Sequence, residues 1–424
     1  MKTFSLPYGK SELSVQIPDC FPVSTLKPEA EQALEDPIQA INDALDHPIG
    51  CRKLQTFPKT ASIGIAVNDK TRPVPVPNPL DVLLEFLQSS SFDRDQITLY
   101  IGSGTHTPMQ TDEFHYIIDE KIINQFKIVT HDCDRSAMID LGETRHHTPI
   151  RINSEFYNSD IKITVGNIEP HHFMGFSGGV KTAAIGLASR ETINANHAML
   201  THPQAKSGVF HINPMRQDIE EIGLKAGIHY TLGTILDERK QLLKVFFGDP
   251  ISVVKSAIPY VKRIFGISVP EPFDLVIASP GGAPKDINLY QAQKGLTHAA
   301  RITRDRGWVI LLAACTEGSG SQSYEDYIMS MPSHQSVIHH FQGGFFEVGP
   351  HKAFQIARDL IRINLVLVSD IPPEIIKQWK ITPSTPQLLQ PLINWIAARL
   401  PSDARIGILP AATRTMTEVK NVSK

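Results

Sequence analysis

Ser62-Ile-Gly-Ile-Ala-Val-Asn-Asp-Lys-Thr-Arg-Pro73 is a short apolar, β-rich run that breaks into a charged turn ending in proline. A helical pattern follows in Leu80-Asp-Val-Leu-Leu-Glu-Phe-Leu-Gln88. The alternation continues outward through Gln96-Ile-Thr-Leu-Tyr-Ile101, Phe126-Lys-Ile-Val-Thr130 and Asp160-Ile-Lys-Ile-Thr-Val165, each closed by a polar or glycine-containing turn. Strands this apolar, separated by helices, predict a parallel sheet covered on both faces. In such sheets ligands bind beyond the carboxyl ends of the strands. The polar clusters fall at those ends: residues 69–73, Gly102-Ser-Gly-Thr-His-Thr-Pro108 and Gly166-Asn-Ile-Glu-Pro-His171.

A second block of the same kind starts at Phe273-Asp-Leu-Val-Ile-Ala-Ser279, after Val269-Pro-Glu-Pro272 interrupts the helical pattern of residues 251–265 and reads as a linker. Pro280-Gly-Gly-Ala-Pro284, a helix carrying Tyr290, Gln291 and Lys294, and the strand Trp308-Val-Ile-Leu-Leu312 follow. The expected fold is therefore α/β, with two α/β domains whose largely parallel sheets face each other across a cleft. The expected boundaries are 1–268 for the first domain, 273–400 for the second, and 401–424 for a tail packing back on the N-terminal domain.

A length of 424 residues with 41% hydrophobic and 20% charged content suits about two domains. Lys+Arg (41) and Asp+Glu (44) nearly cancel and are dispersed, which excludes the basic stripe of a nucleic-acid or membrane-surface binder and leaves a small molecule as the expected partner. The N-terminus lacks a signal-peptide pattern and no apolar run of about 18 residues could span a bilayer, so the expected location is cytoplasmic. Cys20, Cys51, Cys133 and Cys315 form no C-x-x-C pair. They are expected to be reduced thiols, neither a zinc site nor a disulfide framework.

The chemistry concentrates in His171-His-Phe-Met-Gly-Phe-Ser-Gly-Gly-Val-Lys181, with His197 sixteen residues further on. Gly175 to Thr182 misses the P-loop pattern, because Val180 separates the last glycine from Lys181. A Ser177-Gly178-Gly179 turn alone is more often a tight connection than a site. Flanked by histidines and a lysine, it is better read as an anion cradle. A lone histidine is usually structural, but His106 and His171 both follow predicted strands at the functional edge and become candidates. His171 and His172 are adjacent, so their side chains should diverge and His172 should be structural. His131 and the polar-loop pair His146-His147 are weaker candidates. Asp69 and Arg72 could simply cap and pair, yet a guanidinium held beside Pro73 suits bidentate capture of a carboxylate or phosphate. Tyr290 and Lys294, at i and i+4, share a helix face, and Lys294 could add a second positive contact.

Taken together, Asp69-x-Thr71-Arg72-Pro73, Gly104-Thr-His106, Pro170-His171 through Gly178-Gly179-x-Lys181, His197 and Asn288-Leu-Tyr290-Gln291-x-x-Lys294 resemble the nickel-dependent lactate racemase family, in order and approximate spacing over nearly the whole chain. The resemblance implies a nickel pincer nucleotide, a pyridinium-3,5-bisthiocarboxylic acid mononucleotide carrying nickel, in the cleft between the domains. On this chain it implies covalent attachment through Lys181 and nickel ligation by His197. It makes His106 and His171 the paired acid/base groups, gives the substrate carboxylate to Arg72 and Lys294, and lines the pocket with Tyr290 and Gln291. Asp69, Thr71, Ser177, Gly178 and Gly179 would engage the nucleotide. Partners would be a 2-hydroxy acid and the proteins that build the cofactor.

The implied reaction inverts C2 through hydride removal and return, by way of a 2-keto acid, with one histidine serving each enantiomer. Two departures stand out: Ile185-Gly186 where the family usually has proline-glycine, and Thr107 where a basic residue is common. The histidines by themselves would also allow a zinc-dependent hydrolase or isomerase, and the turn by itself a non-catalytic nucleotide-binding module.

Overall fold

Ile63–Asn68 forms a strand whose first five residues are buried, as an apolar run between two parallel neighbours requires. Ile97–Gly102 pairs with it in parallel on one side and Ile161–Asn167 on the other. Lys127–Thr130 extends the sheet beyond the first; Tyr230–Leu236, in parallel, and then Leu242–Gly248, antiparallel, extend it beyond the second. Counted along the chain, these six strands lie in the order 6-5-4-1-2-3. That is a doubly wound sheet whose connections reverse direction between its first and fourth strands, the place where such folds take ligands. Pro79–Ser89 covers one face, started by Pro79 and by Asn78, which accepts from the amide of Leu80, and it buries Leu80, Leu83, Leu84 and Leu87.

The computed structural model describes residues 1–29 and 31–420. It divides into two units, Ala30–Ile264 and the combination of Met1–Glu29 with Phe265–Lys424. The second unit has its own sheet, wholly parallel, in the order Thr382–Ser384, Asn364–Val368, Thr303–Leu312, Phe273–Ala278, Ile406–Leu409, Val23–Thr25.

Two expected boundaries are corrected. The first 29 residues belong with the C-terminal unit, because Val23–Thr25 finds its parallel partner in Ile406–Leu409. The hairpin of Lys2–Tyr8 and Ser11–Ile17 also buries Leu6, Val15 and Ile17 against Leu275, Ile277 and Ile310. Nor does the segment after residue 400 return to the N-terminal domain. Ile406–Leu409 is an interior strand of the C-terminal sheet, and Met416–Val419 pairs in parallel with Gly266–Val269, which makes part of the expected linker a strand.

All four cysteines are free thiols. Among the described residues no helix is long and apolar enough to cross a membrane.

Candidate active site

At the end of the first strand Asp69 is buried at 4% exposure. It accepts hydrogen bonds from the Thr71 amide at 3.1 Å, the Thr71 hydroxyl at 2.5 Å and His106 Nδ1 at 2.7 Å. Burial alone would raise this carboxyl, but the bonds from His106 and Thr71 outweigh it and hold Asp69 below its ordinary range. An ionised carboxylate is acceptor-only, so the His106 proton sits on Nδ1, and a neutral ring presents Nε2 as a proton acceptor. The His106 side chain is half exposed. Its backbone amide bonds Ser103 O at 3.0 Å, closing the turn that aims it.

The fourth strand ends in a loop held from both sides. Asn167 donates through Nδ2 to Pro73 O and accepts at Oδ1 from Thr234, both at 2.7 Å, fixing the Asp69–Pro73 turn against the neighbouring strand end. Pro170–His171 and Gly175–Phe176 then form a tiny antiparallel pair. The amide of Met174 donates to His171 Nδ1 at 3.2 Å. A neutral His171 therefore carries its proton on Nε2, the opposite tautomer to His106. The expectation that His171 and His172 diverge is corrected: their rings stack at 4.7 Å and 21°, because the chain turns immediately after His171.

Ser177 lies at the wall of a recess, and its own polar groups hold the loop. Its hydroxyl donates to Asn167 O at 2.8 Å and accepts from the Glu169 amide at 3.0 Å. Gly178 and Gly179 adopt φ of +74° and +65°. A Cβ on Gly179 would come within 2.7 Å of Val254 Cγ2 and 2.8 Å of Arg216 Nη2. Arg216, 1% exposed, donates through Nη1 to Phe176 O at 3.1 Å and Gly178 O at 3.2 Å, bracing the turn from behind. Gly179→Ala is expected to lose about 1–3 kcal/mol of stability, from left-handed backbone strain and overpacking together. A urea midpoint equal to wild type would contradict this.

The recess is lined by Asn68, Arg72, Asn167, Glu169, Ser177, Gly178, Lys181 and Thr182. Lys181 opens the one-turn helix Lys181–Ala184. Burial, then the Arg72 and Arg216 guanidiniums, push its ammonium down to about 7 against the pull of Glu169 and Asp69. The helix stops where the family's usual proline is replaced: the amide of Ile185 bonds Lys181 O at 3.1 Å, a bond proline has no N–H to make. Gly186 follows at closest approach to Gly102, and the Gly104 amide bonds Gly186 O at 3.0 Å, joining the lysine's turn to the loop that carries His106.

His197 stands near the end of the helix Arg190–Ala198. Its Nδ1 donates to Ile193 O at 2.9 Å, so Nε2 carries the lone pair a metal would take. Burial and the nearby Lys181 depress it to about 4, keeping the ring neutral.

The other unit carries the remaining predicted residues on the helix Leu289–Arg301, capped by Asn288, whose side chain accepts from the Gln291 amide at 3.0 Å. Tyr290, Gln291 and Lys294 are partly exposed there, and Lys294 Nζ donates to Gln291 Oε1 at 2.8 Å.

The weaker histidine candidates have other surroundings. His131 is fully buried against Ala188 O at 3.0 Å, and His147 sits exposed in a turn at φ +60°. Among the described residues, the only three His, Cys, Asp or Glu side chains whose ligand atoms lie within 4.8 Å of one another are Asp132, Cys133 and Asp134. His106, His171 and His197 therefore do not converge on one ion, which removes the support for a three-histidine zinc centre. Glu169, Asn167 and Arg216 drew no attention from their residue types. Glu169 and Asn167 lie in a strand-end cluster already singled out, whereas nothing local marks Arg216.

Fold and site define a doubly wound α/β protein with an arginine- and lysine-lined recess at its switch point and two histidines of opposite tautomer on strand-end loops of the same sheet. Family models described as the lactate racemase N-terminal domain and the lactate racemase C-terminal domain match residues 8–208 and 269–413. The lactate racemase of Thermoanaerobacterium thermosaccharolyticum is 28% identical over 99% of this chain and 100% of its own. That of Lactiplantibacillus plantarum is 31% identical over 76% of this chain and 77% of its own. The structure of the Thermoanaerobacterium thermosaccharolyticum lactate racemase apoprotein superposes with a TM-score of 0.87 at 27% identity, covering 98% of this chain and 100% of that one. A Thermotoga maritima protein at 15% identity and TM-score 0.65, covering 92% of this chain and 100% of its own, shares the fold.

The chain belongs to the lactate racemase family, and it is an isomerase of the racemase class. The family implies a nickel-containing cofactor. The residues present fit one: a depressed lysine in an open recess, a neutral histidine with its metal-binding nitrogen set by Ile193, and guanidinium and ammonium groups for an anion.

Proposed function

We propose that this protein racemises or epimerises a lactate-like 2-hydroxy acid at C2, using a nickel pincer nucleotide attached through Lys181 and ligated at nickel by His197. The observation that carries the proposal is the pair of strand-end histidines whose Nδ1 atoms are engaged by the protein, His106 by Asp69 and His171 by the Met174 amide, so that Nε2 of each is left to exchange a proton with substrate, as imidazole when it accepts and as imidazolium when it returns one. Inversion of a secondary alcohol needs one group to take the hydroxyl proton and another to return one on the opposite side, with roles exchanged for the other enantiomer. When bound, the cofactor supplies a reversible hydride acceptor, which avoids a costly carbanion at C2.

The chain's own residues do the rest. Asp69 holds His106 in its accepting tautomer and stabilises the imidazolium formed when the hydroxyl proton arrives. Arg72 and Lys294 are assigned to the substrate carboxylate, and Tyr290 and Gln291 to the substrate pocket. Gly178 and Gly179 border the nucleotide, while Ser177, Thr71 and Asp69 fix the loops around it. Maturation requires the proteins that build the cofactor, and we place the enzyme in the cytoplasm.

The test uses protein matured together with those proteins, supplied with single enantiomers of lactate, malate and longer 2-hydroxy acids and followed by chiral analysis. Racemisation, bound nickel and an intact mass carrying an adduct are expected. Loaded protein that inverts none of the acids would overturn the activity, and zinc without an adduct would return the hydrolase reading.

A further inference from the structure

Lys352 is the third residue of the helix Pro350–Leu360 and is 2% exposed. A lysine this buried ordinarily has an anionic partner. Here Nζ donates to Gln293 Oε1 at 3.3 Å and Gln355 Oε1 at 3.2 Å, both neutral amides, and lies 4.5 Å from the centre of the Tyr290 ring. Among the described residues Lys352 has no carboxylate within ion-pair distance. The nearest compensation is indirect: Gln293 Nε2 donates to Thr297 at 2.8 Å, and the Thr297 hydroxyl donates to Asp359 at 2.9 Å, a relay that polarises the Gln293 carbonyl toward the amine. The same helix that supplies Gln293 supplies Tyr290 and Lys294.

We infer that Lys352 is a positioning residue of the carboxylate subsite on this unit, its amine braced by Gln293 and Gln355 against Tyr290 and held behind Lys294 as a second cation for an arriving substrate carboxylate. The inference rests on the assignment of Lys294 to that carboxylate. Before an anion arrives, burial and then Lys294 hold the Lys352 ammonium well below its ordinary value. A carboxylate at Lys294 offsets the repulsion from that ammonium, so Lys352 is more basic in the complex than in the free protein. The groups around it fit this direction. Lys294 from the helix Leu289–Arg301 disfavours the charge, Asp359 acts only through Thr297 and Gln293, and the neighbouring His351 packs edge-on to Tyr290 at 5.9 Å. Substrate binding should therefore take up a proton at Lys352, and the subsite should favour a carboxylate over an isosteric neutral amide.

Lys352→Met and, as a variant that keeps polarity, Lys352→Gln are compared with wild-type holoenzyme. Titration calorimetry with racemic lactate, whose interconversion carries no net heat, is run in buffers of different ionisation enthalpy. Proton uptake is expected for wild type and not for either variant. KM for lactate should rise about tenfold with kcat within about twofold, a loss of roughly one pKa unit of charge interaction, while inhibition by neutral lactamide stays unchanged. Wild-type uptake retained in both variants, or equal losses toward lactate and lactamide, would overturn the inference and leave a packing role. Wild type that binds and inverts no hydroxy acid would instead overturn the proposed function.

Discussion

Lys181→Ala is expected to fold, to show no cofactor adduct by intact mass, and to have no racemase activity above background. The reason lies in the state of the amine. With its ammonium pushed to about 7 by burial and by Arg72 and Arg216, Lys181 has about a thousandfold more free amine at neutral pH than an ordinary lysine. A free amine is the form that attacks an activated carboxyl or thiocarboxyl carbon. The sign of the pH dependence follows: in maturation assays the attachment rate should climb as pH rises toward 7 and level off above it, where an ordinary lysine would keep climbing to about 10. Lys181→Arg keeps a positive charge in the recess but is never deprotonated, so it should fold and remain unmodified. An adduct of unchanged mass on either variant, or full nickel-dependent activity without one, would remove Lys181 from the role.

What the sequence could reveal about this site divides by the range of the interactions. The strand at Ile63–Asn68, the turn after it, the edge location of His106 and His171, and the shared helix face of Tyr290 and Lys294 were all readable, because each depends on periodicity or on neighbours a few residues apart. The tautomer of His106 was not, because it depends on a partner across the fold. His106 takes its proton position from Asp69, 37 residues earlier. Asn167 reaches Pro73 across 94 residues, and Arg216 supports the Phe176 and Gly178 carbonyls from 40 and 38 residues away. The place of the N-terminal segment is hidden in the sequence for the same reason, since the three residues Val23–Thr25 acquire strand identity only from Ile406–Leu409. Ile185 lies between these cases. The departure from proline was visible in the chain, but its effect, an amide that closes the Lys181 turn, required the geometry.

The histidine pair gives the second large effect. His106→Asn and His171→Asn should each lower racemisation by about 10²–10⁴, the range for loss of a positioned acid or base. The two variants should differ in a way a shared structural defect cannot reproduce. Under the proposed roles each histidine deprotonates the hydroxyl of one enantiomer, so one variant should still oxidise the D form in a single turnover and the other the L form. Quenching stoichiometric, cofactor-loaded enzyme and measuring 2-keto acid from each pure enantiomer reads this directly.

Asp69→Asn is the control for tautomer. An amide oriented to donate through its NH₂ favours the proton on His106 Nε2, turning the base into a donor. That variant should therefore match His106→Asn in which enantiomer it fails to oxidise, while its adduct and nickel content stay at wild-type levels. If both histidine variants lost the same enantiomer, or if Asp69→Asn sided with His171→Asn, the division of labour between the two rings would fail, even with Lys181 and His197 correctly placed.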